Sequence, residues 1–227
     1  MDVVLDSLPE LGKAFTYTAL LFLVSAVFSL ILGTILVAMR VGPVAILRAI
    51  GTLYVNLVRN TPLLMVFFFF SFAGPIIGLK FHFVDIHIGQ FDFTSFFTVA
   101  VISMSLYTAT FICESLRSGI NSVPLGQAEA GRAVGMTFGQ VMGNVVLPQA
   151  FRASVPPTVS ALIAMAKNTS VAAVFGVAEA TSQMASMTND HAPDRWAIFT
   201  AFAIGYIVIV EILSFIAMFF ERRWRAA

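Results

Sequence analysis

The sequence predicts an all-α polytopic membrane protein with five transmembrane helices. Of its 227 residues, 59% are hydrophobic and only 11% are charged, whereas soluble domains average about 45–50% and about 25%. So few charges cannot cover the surface of a 24.6 kDa soluble protein, and the mean hydropathy of +0.91 agrees. Lipid is therefore the expected solvent for most of the surface.

The distances between charged residues locate the five spans, because a helix of about 20 residues crosses a bilayer core. The predicted spans are 14–39, 60–79, 93–113, 153–178 and 196–220. The first three contain no charged residue, and the last two contain one ionisable residue each, Lys167 and Glu211. An ionisable residue inside a span is costly and usually functional, so both are candidate site residues. All residues, 1–227, belong to a single transmembrane domain in this prediction.

The distribution of basic residues predicts which side of the membrane each terminus occupies. With the N-terminus outside, eight Lys and Arg residues fall on the cytoplasmic side and three on the outer side. The cytoplasmic set is Arg40, Arg48, Arg117, Arg132, Arg152, Arg222, Arg223 and Arg225, against Lys13, Lys80 and Arg195 outside. Because cytoplasmic loops are enriched in Lys and Arg, the N-terminus is predicted outside and the C-terminus inside.

The longest stretch between spans, 114–152, is cytoplasmic in this topology. Pro124 and the residues after it are typical of a helix start, and 127–134 has helix-forming composition up to a glycine. A second helical run, 137–146, is predicted to stop before Pro148. Two short helices in such a loop predict a docking surface for a soluble partner.

This loop also carries a spaced motif. Glu129-Ala130-Gly131 is followed after three residues by Gly135, and after nine more by Val145-Val146-Leu147-Pro148. The spacing resembles the EAA loop of ABC importer permeases, with Gly131 and Val145 as departures from Ala and Ile. The resemblance implies a cytoplasmic coupling helix that docks on a separate ATPase. The coupling residues that it implies are Gln127, Ala128, Glu129, Ala130, Gly131, Arg132 and Gly135.

Three further blocks resemble the polar amino acid branch of these permeases. They are Arg59-Asn60-Thr61-Pro62-Leu63, Glu114-Ser115-Leu116-Arg117-Ser118-Gly119-Ile120 and Lys167-Asn168-Thr169-Ser170. Asn60 and Asn168 depart from the commoner Gly and Asp. Together with 107–111 they are most similar to the glutamate-uptake permeases of actinobacteria, so the resemblance implies import of a polar amino acid, glutamate first among them.

The block at 167–170 supplies most of the candidate residues for the substrate path. Asn168, Thr169 and Ser170 predict a break in the fourth span, where free backbone N–H groups and hydroxyls suit a substrate carboxylate. Lys167 adds the cation that a dicarboxylic substrate needs. The alternative is structural, with Lys167 reaching the membrane interface or pairing with Glu211.

Three other polar residues complete the candidate set. Thr61 precedes Pro62 and is a further substrate-path candidate, although a proline in the first turn of a helix needs no function to explain it. Glu114 and Arg117, three residues apart on one helix, are predicted to pair at the inner mouth of the path.

Cofactors and catalysis are expected on other chains. His82, Asp85 and His87 match no recognised metal spacing, and the sequence has no phosphate-binding loop or hydrolase motif. The expectation is no metal and no cofactor in this chain, which is a transport subunit and not an enzyme, with ATP and Mg²⁺ bound by a partner ATPase.

This chain is expected to form half of a translocation pathway and to work within a larger assembly. Besides two ATPase subunits and an extracytoplasmic substrate-binding protein, it contains a second permease, homologous or identical, in the cytoplasmic membrane of a bacterium. No nucleic acid is expected as a partner. The alternative is a secondary amino acid transporter or channel that works without an ATPase.

Overall fold

The chain is helical along almost all of its length in the computed structural model, which describes residues 2–79, 86–88 and 91–225. The helices in chain order are α1 (Asp2–Asp6), α2 (Leu8–Val41), α3 (Ala45–Arg59), α4 (Leu63–Phe68), α5 (Gly74–Ile76), α6 (Ser95–Asn121), α7 (Leu125–Ala133), α8 (Phe138–Val141), α9 (Leu147–Asn168), α10 (Ala180–Asp190) and α11 (Arg195–Arg225). They are linked or extended by the π-helical turns Phe69–Ala73 and Met142–Val146 and the 3₁₀ segments Thr169–Phe175 and Ala192–Asp194. The prediction of a helical polytopic protein is confirmed.

A short β-hairpin departs from the all-α prediction. Strand β1 (Ile86–Ile88) pairs antiparallel with β2 (Phe91–Phe93), with Ile86 opposite Phe93. Apolar and polar residues alternate along both strands, which favours extended pairing over helix. Of the histidines and acids weighed as metal ligands, His82 and Asp85 lie outside the described residues.

Within the described residues, four helical stretches are long and apolar enough to cross a membrane, namely Leu8–Val41, Ser95–Asn121, Phe138–Phe175 and Ala192–Phe219. The predicted span 60–79 is not one straight helix, because Ala45–Arg59 and Leu63–Ile76 meet at a bend of 104°. Pro62 causes this bend, since it has no N–H to continue a helix and disfavours helical geometry in the residue before it. The count by length and composition is four spans, or five if the bent pair is one span.

Two helices extend well into the predicted loop 114–152. Helix α6 continues to Asn121, and the run that was predicted to stop before Pro148 instead continues through it into α9. Pro148 lies in the first turn of α9, directly after a π-helical turn, where its missing N–H costs little. Charge spacing locates the apolar part of a helix, whereas caps and breaks decide its ends.

Small residues hold the three central helices α2, α6 and α9 close together. A side chain at Gly33 of α2 would clash with Ile112 of α6, and one at Gly119 of α6 would clash with the backbone of Ala150 in α9. The Ser105 hydroxyl donates to the Ser25 carbonyl across the α2–α6 contact, at 3.4 Å. Close approach through small residues is typical of helix packing in membranes, and it fixes α9 against the centre of the fold.

Candidate functional site

Helix α7 carries six of the seven predicted coupling residues, and the seventh, Gly135, ends it. The helix starts at Leu125, after Pro124, and closes with two hydrogen bonds, from the Gly135 N–H to the Arg132 carbonyl (3.0 Å) and from the Met136 N–H to the Gly131 carbonyl (3.1 Å). This is a Schellman ending, which needs a left-handed residue, and Gly135 has φ +86°. Glycine is required here by the backbone.

Gly131 fixes α7 against the segment that follows it. It is the buried residue of the helix, and a Cβ at this position would lie 3.2 Å from a Val141 methyl and 3.4 Å from the Met136 sulfur. An alanine would therefore require a shift of a few tenths of an ångström, which accounts for glycine at the third position of the motif. The next helix starts with a capping box formed by Thr137 and Gln140.

The outer surface around α7 is apolar although α7 itself lies outside the candidate spans, the next of which begins at Phe138. Leu125 is 80% exposed, Val134 76% and Phe138 66%. Glu129 and Arg132 are exposed as well, and among the described residues neither takes part in an ion pair. A surface that combines exposed large apolar side chains with unpaired charges is typical of a protein interface.

Glu114 has a closer partner than the predicted one. The Arg117 guanidinium lies 3.9 Å from a Glu114 oxygen, but Arg40, at the end of α2, forms the shorter hydrogen-bonded ion pair with the other oxygen. The Arg40 side chain is only 6% exposed, against 43% for Arg117, and Arg40 also reaches the Cys113 sulfur. Sequence reasoning assigned Arg40 to topology alone, because its partner lies 74 residues away.

Two of the predicted substrate-path residues line a pocket between α9 and α11. This α9–α11 pocket has a volume of about 410 Å³. Its lining residues are Lys167, Ser170, Tyr206, Ile207, Val210 and Glu211. Lys167 and Glu211 are both exposed, and in the described part of the chain no ion pair joins them within 4 Å. The pocket thus presents one positive and one negative group from neighbouring helices.

The other substrate-path candidates lie elsewhere. Thr169 is completely buried, and its hydroxyl donates to the Ala166 carbonyl at 2.8 Å, so it lies behind the pocket wall. Asn168 is half-buried and ends α9. Thr61 lies in the bend between α3 and α4, with its hydroxyl donating to the Leu57 carbonyl.

The predicted break at Asn168 is a change of helix type. The chain tightens from α9 into the 3₁₀ segment Thr169–Phe175, which ends at Gly176 with φ +82°. Because the backbone stays helical, fewer N–H groups are free than the sequence predicted. The Ser170 hydroxyl donates to the Lys167 carbonyl at 2.8 Å, so its oxygen keeps its acceptor capacity.

Sequence reasoning did not identify Glu179 as a candidate residue. This carboxyl is completely buried. Tyr206 donates to it at 2.7 Å and the Ser182 N–H at 3.0 Å, while the Thr181 hydroxyl lies 2.8 Å from that of Tyr206. Burial raises the pKa of Glu179, although these hydrogen bonds oppose the shift. Since Tyr206 lines the pocket, Glu179 supports its wall from behind.

A larger cavity has no charged residue in its lining. A groove of about 620 Å³ runs between α2 and α6, and all but two of its lining residues, Thr98 and Ser105, are apolar. It offers no charge to a zwitterionic or acidic ligand. The smaller α9–α11 pocket is therefore the candidate site for a polar substrate.

Comparison with known proteins places this geometry in context. Residues 27–226 match the family described as binding-protein-dependent transport system inner membrane component. The glutamate transport system permease protein GluC of Corynebacterium efficiens is 45% identical over 201 residues, which is 88% of each chain. The glutamate/aspartate import permease protein GltJ of Escherichia coli is 31% identical over 219 residues, covering 94% of this chain and 86% of its own.

Solved structures share the fold at lower identity. The crystal structure of an amino acid ABC transporter with histidines superposes with a TM-score of 0.84 at 23% identity, covering 97% of this chain and 96% of that one. An inward-facing structure of the MetNI methionine ABC transporter gives 0.75 at 20% identity, covering 96% of this chain and 97% of that one.

Proposed function

We propose that this chain, which belongs to the family of binding-protein-dependent transport system inner membrane components, is the permease subunit of an ATP-driven glutamate importer. As an inner-membrane transport subunit it is not an enzyme. Glutamate is favoured because GluC, a glutamate permease by name, is 45% identical to it and GltJ, a glutamate/aspartate permease by name, is 31% identical, both over most of its length.

The geometry of helix α7 is the observation that supports coupling to an ATPase. A helix that transmits force must not bend, and α7 is short, closed by a Schellman ending and held against Val141 through Gly131. Its exposed apolar neighbours Leu125, Val134 and Phe138 supply the contact area. An ATPase-independent transporter has no use for such a surface, which distinguishes the two functions.

The orientation and the assembly follow from this role. The N-terminus is outside and the C-terminus inside, as the excess of basic residues in the loops favours, so α7 faces the cytoplasm. Five helices do not enclose a path alone, so a second permease, homologous or identical, pairs with this one about a two-fold or pseudo-two-fold axis. Two ATPase subunits bind ATP and Mg²⁺, and an extracytoplasmic binding protein delivers glutamate.

Transport then proceeds by alternating access. Closure of the ATPases moves the two α7 helices, and the permease halves rock about the path. The ion pair between Arg40 and Glu114 joins the end of α2 to the last two turns of α6, the helix that leads into the loop, so movement of the loop is passed to the first span.

Reconstitution tests the proposal. The complex purified from membranes through this chain should contain an ATPase and a second permease. Its proteoliposomes should accumulate glutamate only with ATP on the ATPase side and binding protein on the other. Uptake driven by an ion gradient without ATP would establish the secondary transporter instead.

The charge of Lys167 gives the proposal a residue-level test. Lys167→Met should reduce glutamate uptake about tenfold or more, as expected for loss of a charged hydrogen bond, and reduce glutamine uptake less. Lys13→Met removes an exposed lysine outside the pocket and should change neither. Equal losses for the two substrates would exclude recognition of the side-chain carboxylate by Lys167.

A further inference from the structure

Glu211 is an exposed carboxyl deep inside a membrane span. It lies in α11 within the apolar stretch Ala192–Phe219, ten residues before the next charged residue, Glu221. A charged group at this depth is strongly disfavoured in contact with acyl chains, and such residues face a bundle interior or a water-filled path. The face of α11 that carries Glu211 is therefore in contact with water or protein.

Lys167, on the neighbouring helix α9, is likewise a charged residue within an apolar stretch. It is exposed near the end of α9, with no other charged residue between Arg152 and Glu179. Both residues line the α9–α11 pocket, and the absence of an ion pair between these two described side chains leaves the space between them open. A volume of about 410 Å³ is within the usual range for small-molecule sites, about 300–1,000 Å³.

Accordingly, we propose that the α9–α11 pocket recognises two opposite charges of its amino acid, with the Lys167 ammonium binding the side-chain carboxylate of glutamate and the Glu211 carboxylate binding the α-ammonium. The assignment of Glu211 rests on the proposed function, which supplies an amino acid as substrate. The Ser170 oxygen adds an acceptor beside the ammonium, because its own hydrogen is engaged by the Lys167 carbonyl. The buried Glu179 fixes the hydroxyl of Tyr206 behind the pocket.

Opposite charges on two sides of a pocket distinguish an amino acid from its analogue without the amino group. Glutarate has both carboxylates of glutamate and lacks only the ammonium. A site that pairs the ammonium with a carboxylate should reject such an analogue, because the carboxylate is then left unpaired. Glu211 is thus the residue that sets this preference, whereas Lys167 contacts a group that both ligands share.

Binding to the complete importer tests the role of Glu211. The nucleotide-free complex in lipid nanodiscs, without binding protein, is titrated with glutamate and with glutarate. The wild type should prefer glutamate about tenfold or more, which corresponds to one charged hydrogen bond, and Glu211→Gln should bind the two within about twofold. Lys167→Met should weaken both and keep the preference. Glu10→Gln, an exposed acid outside the pocket, should match the wild type.

Other outcomes would overturn the inference. A Glu211→Gln complex that keeps the wild-type preference shows that the ammonium binds elsewhere. If Glu211→Gln weakens both ligands equally, as Lys167→Met is expected to do, Glu211 supports the pocket structurally and does not bind the ammonium. If the wild-type importer transports a different amino acid, glutamate specificity fails separately, and the same comparison with that amino acid and its analogue lacking the amino group tests Glu211.

Discussion

The loop that carries α7 and the α9–α11 pocket differ from their surroundings in opposite ways. Around α7, in the loop predicted to be cytoplasmic, Leu125 and Val134 present apolar side chains that are 80% and 76% exposed. Between α9 and α11, within helices otherwise suited to lipid, Lys167 and Glu211 present charges. Each region is therefore mismatched to the solvent expected at its depth.

Exposed apolar area and exposed charge favour different binding partners. Apolar area exposed to water is stabilised by covering it with another protein, which agrees with an ATPase bound at α7. Charge exposed at the depth of lipid is stabilised by water or by a charged ligand, which agrees with a substrate path beside α9. The proposed ATPase interface and the proposed substrate site are thus distinguished within one chain of 227 residues.

The largest expected effect comes from disrupting α7 at its end. Gly135→Pro should abolish uptake and separate ATP hydrolysis from transport, because proline cannot adopt the φ of +86° that the Schellman ending needs. The variant should still enter the membrane. Uptake and substrate-stimulated ATPase activity of the reconstituted complex provide the measurement.

A neighbouring glycine provides the control for this variant. Gly139 lies in α8 with open space around its Cβ position, so Gly139→Ala should leave uptake unchanged. Normal uptake and normal stimulated ATPase activity in Gly135→Pro would contradict the coupling role of α7.

The next effect concerns the ion pair between Arg40 of α2 and Glu114 of α6. Arg40→Met leaves Glu114 without its buried partner and should lower the free energy of unfolding by about 3 kcal/mol. Arg117→Met removes a partner that is 43% exposed and 3.9 Å away, so it should cost under about 1 kcal/mol. Unfolding of the purified complex in detergent compares the two variants, and equal losses would show that Arg40 is not the main partner of Glu114.

The loop was predictable from sequence to a greater extent than the pocket. Pro124, the helix after it and the glycine at its end are local signals, because a turn of helix and its cap involve residues only a few positions apart. The contact between Arg40 and Glu114 and the burial of Glu179 depend on which helices pack together. Charge spacing on a single chain carries no information about that packing.

The pocket illustrates the same limit. Lys167 and Glu211 were each identified as candidates from their position inside an apolar stretch, but nothing in the sequence placed them in one pocket. Thr169, adjacent in sequence to Ser170, is buried, because neighbouring residues of a tight helix face different directions. Of the four polar residues 167–170, Lys167 and Ser170 thus line the pocket, whereas Thr169 is buried behind its wall.

A smaller effect is expected at the apolar surface of the loop. Leu125→Ser should leave the unfolding of the permease within about 0.5 kcal/mol of the wild type, because the side chain is 80% exposed. It should weaken ATPase binding about tenfold, since burial of a leucine contributes about 1.5–3 kcal/mol. The affinity of the permease for the isolated ATPase measures this, with Leu125→Met as a control that keeps the apolar area. Unchanged affinity in Leu125→Ser would place the ATPase on another surface.

The smallest expected effect is a change in the pH dependence of stability that comes from Glu179, behind the pocket. Because burial raises the pKa of Glu179 in the folded protein, its contribution to stability is full below the ordinary glutamate pKa of about 4.3 and is lost as pH rises through the raised value. Glu179→Gln does not titrate, so its unfolding midpoint should rise by a few degrees relative to the wild type as pH increases over this range. Glu10→Gln, an exposed acid that contacts Gln183, should leave the pH profile unchanged. If the profiles of wild type and Glu179→Gln were parallel, Glu179 would be ionised in the folded protein throughout, and the wall of the pocket would carry a negative charge beside Tyr206.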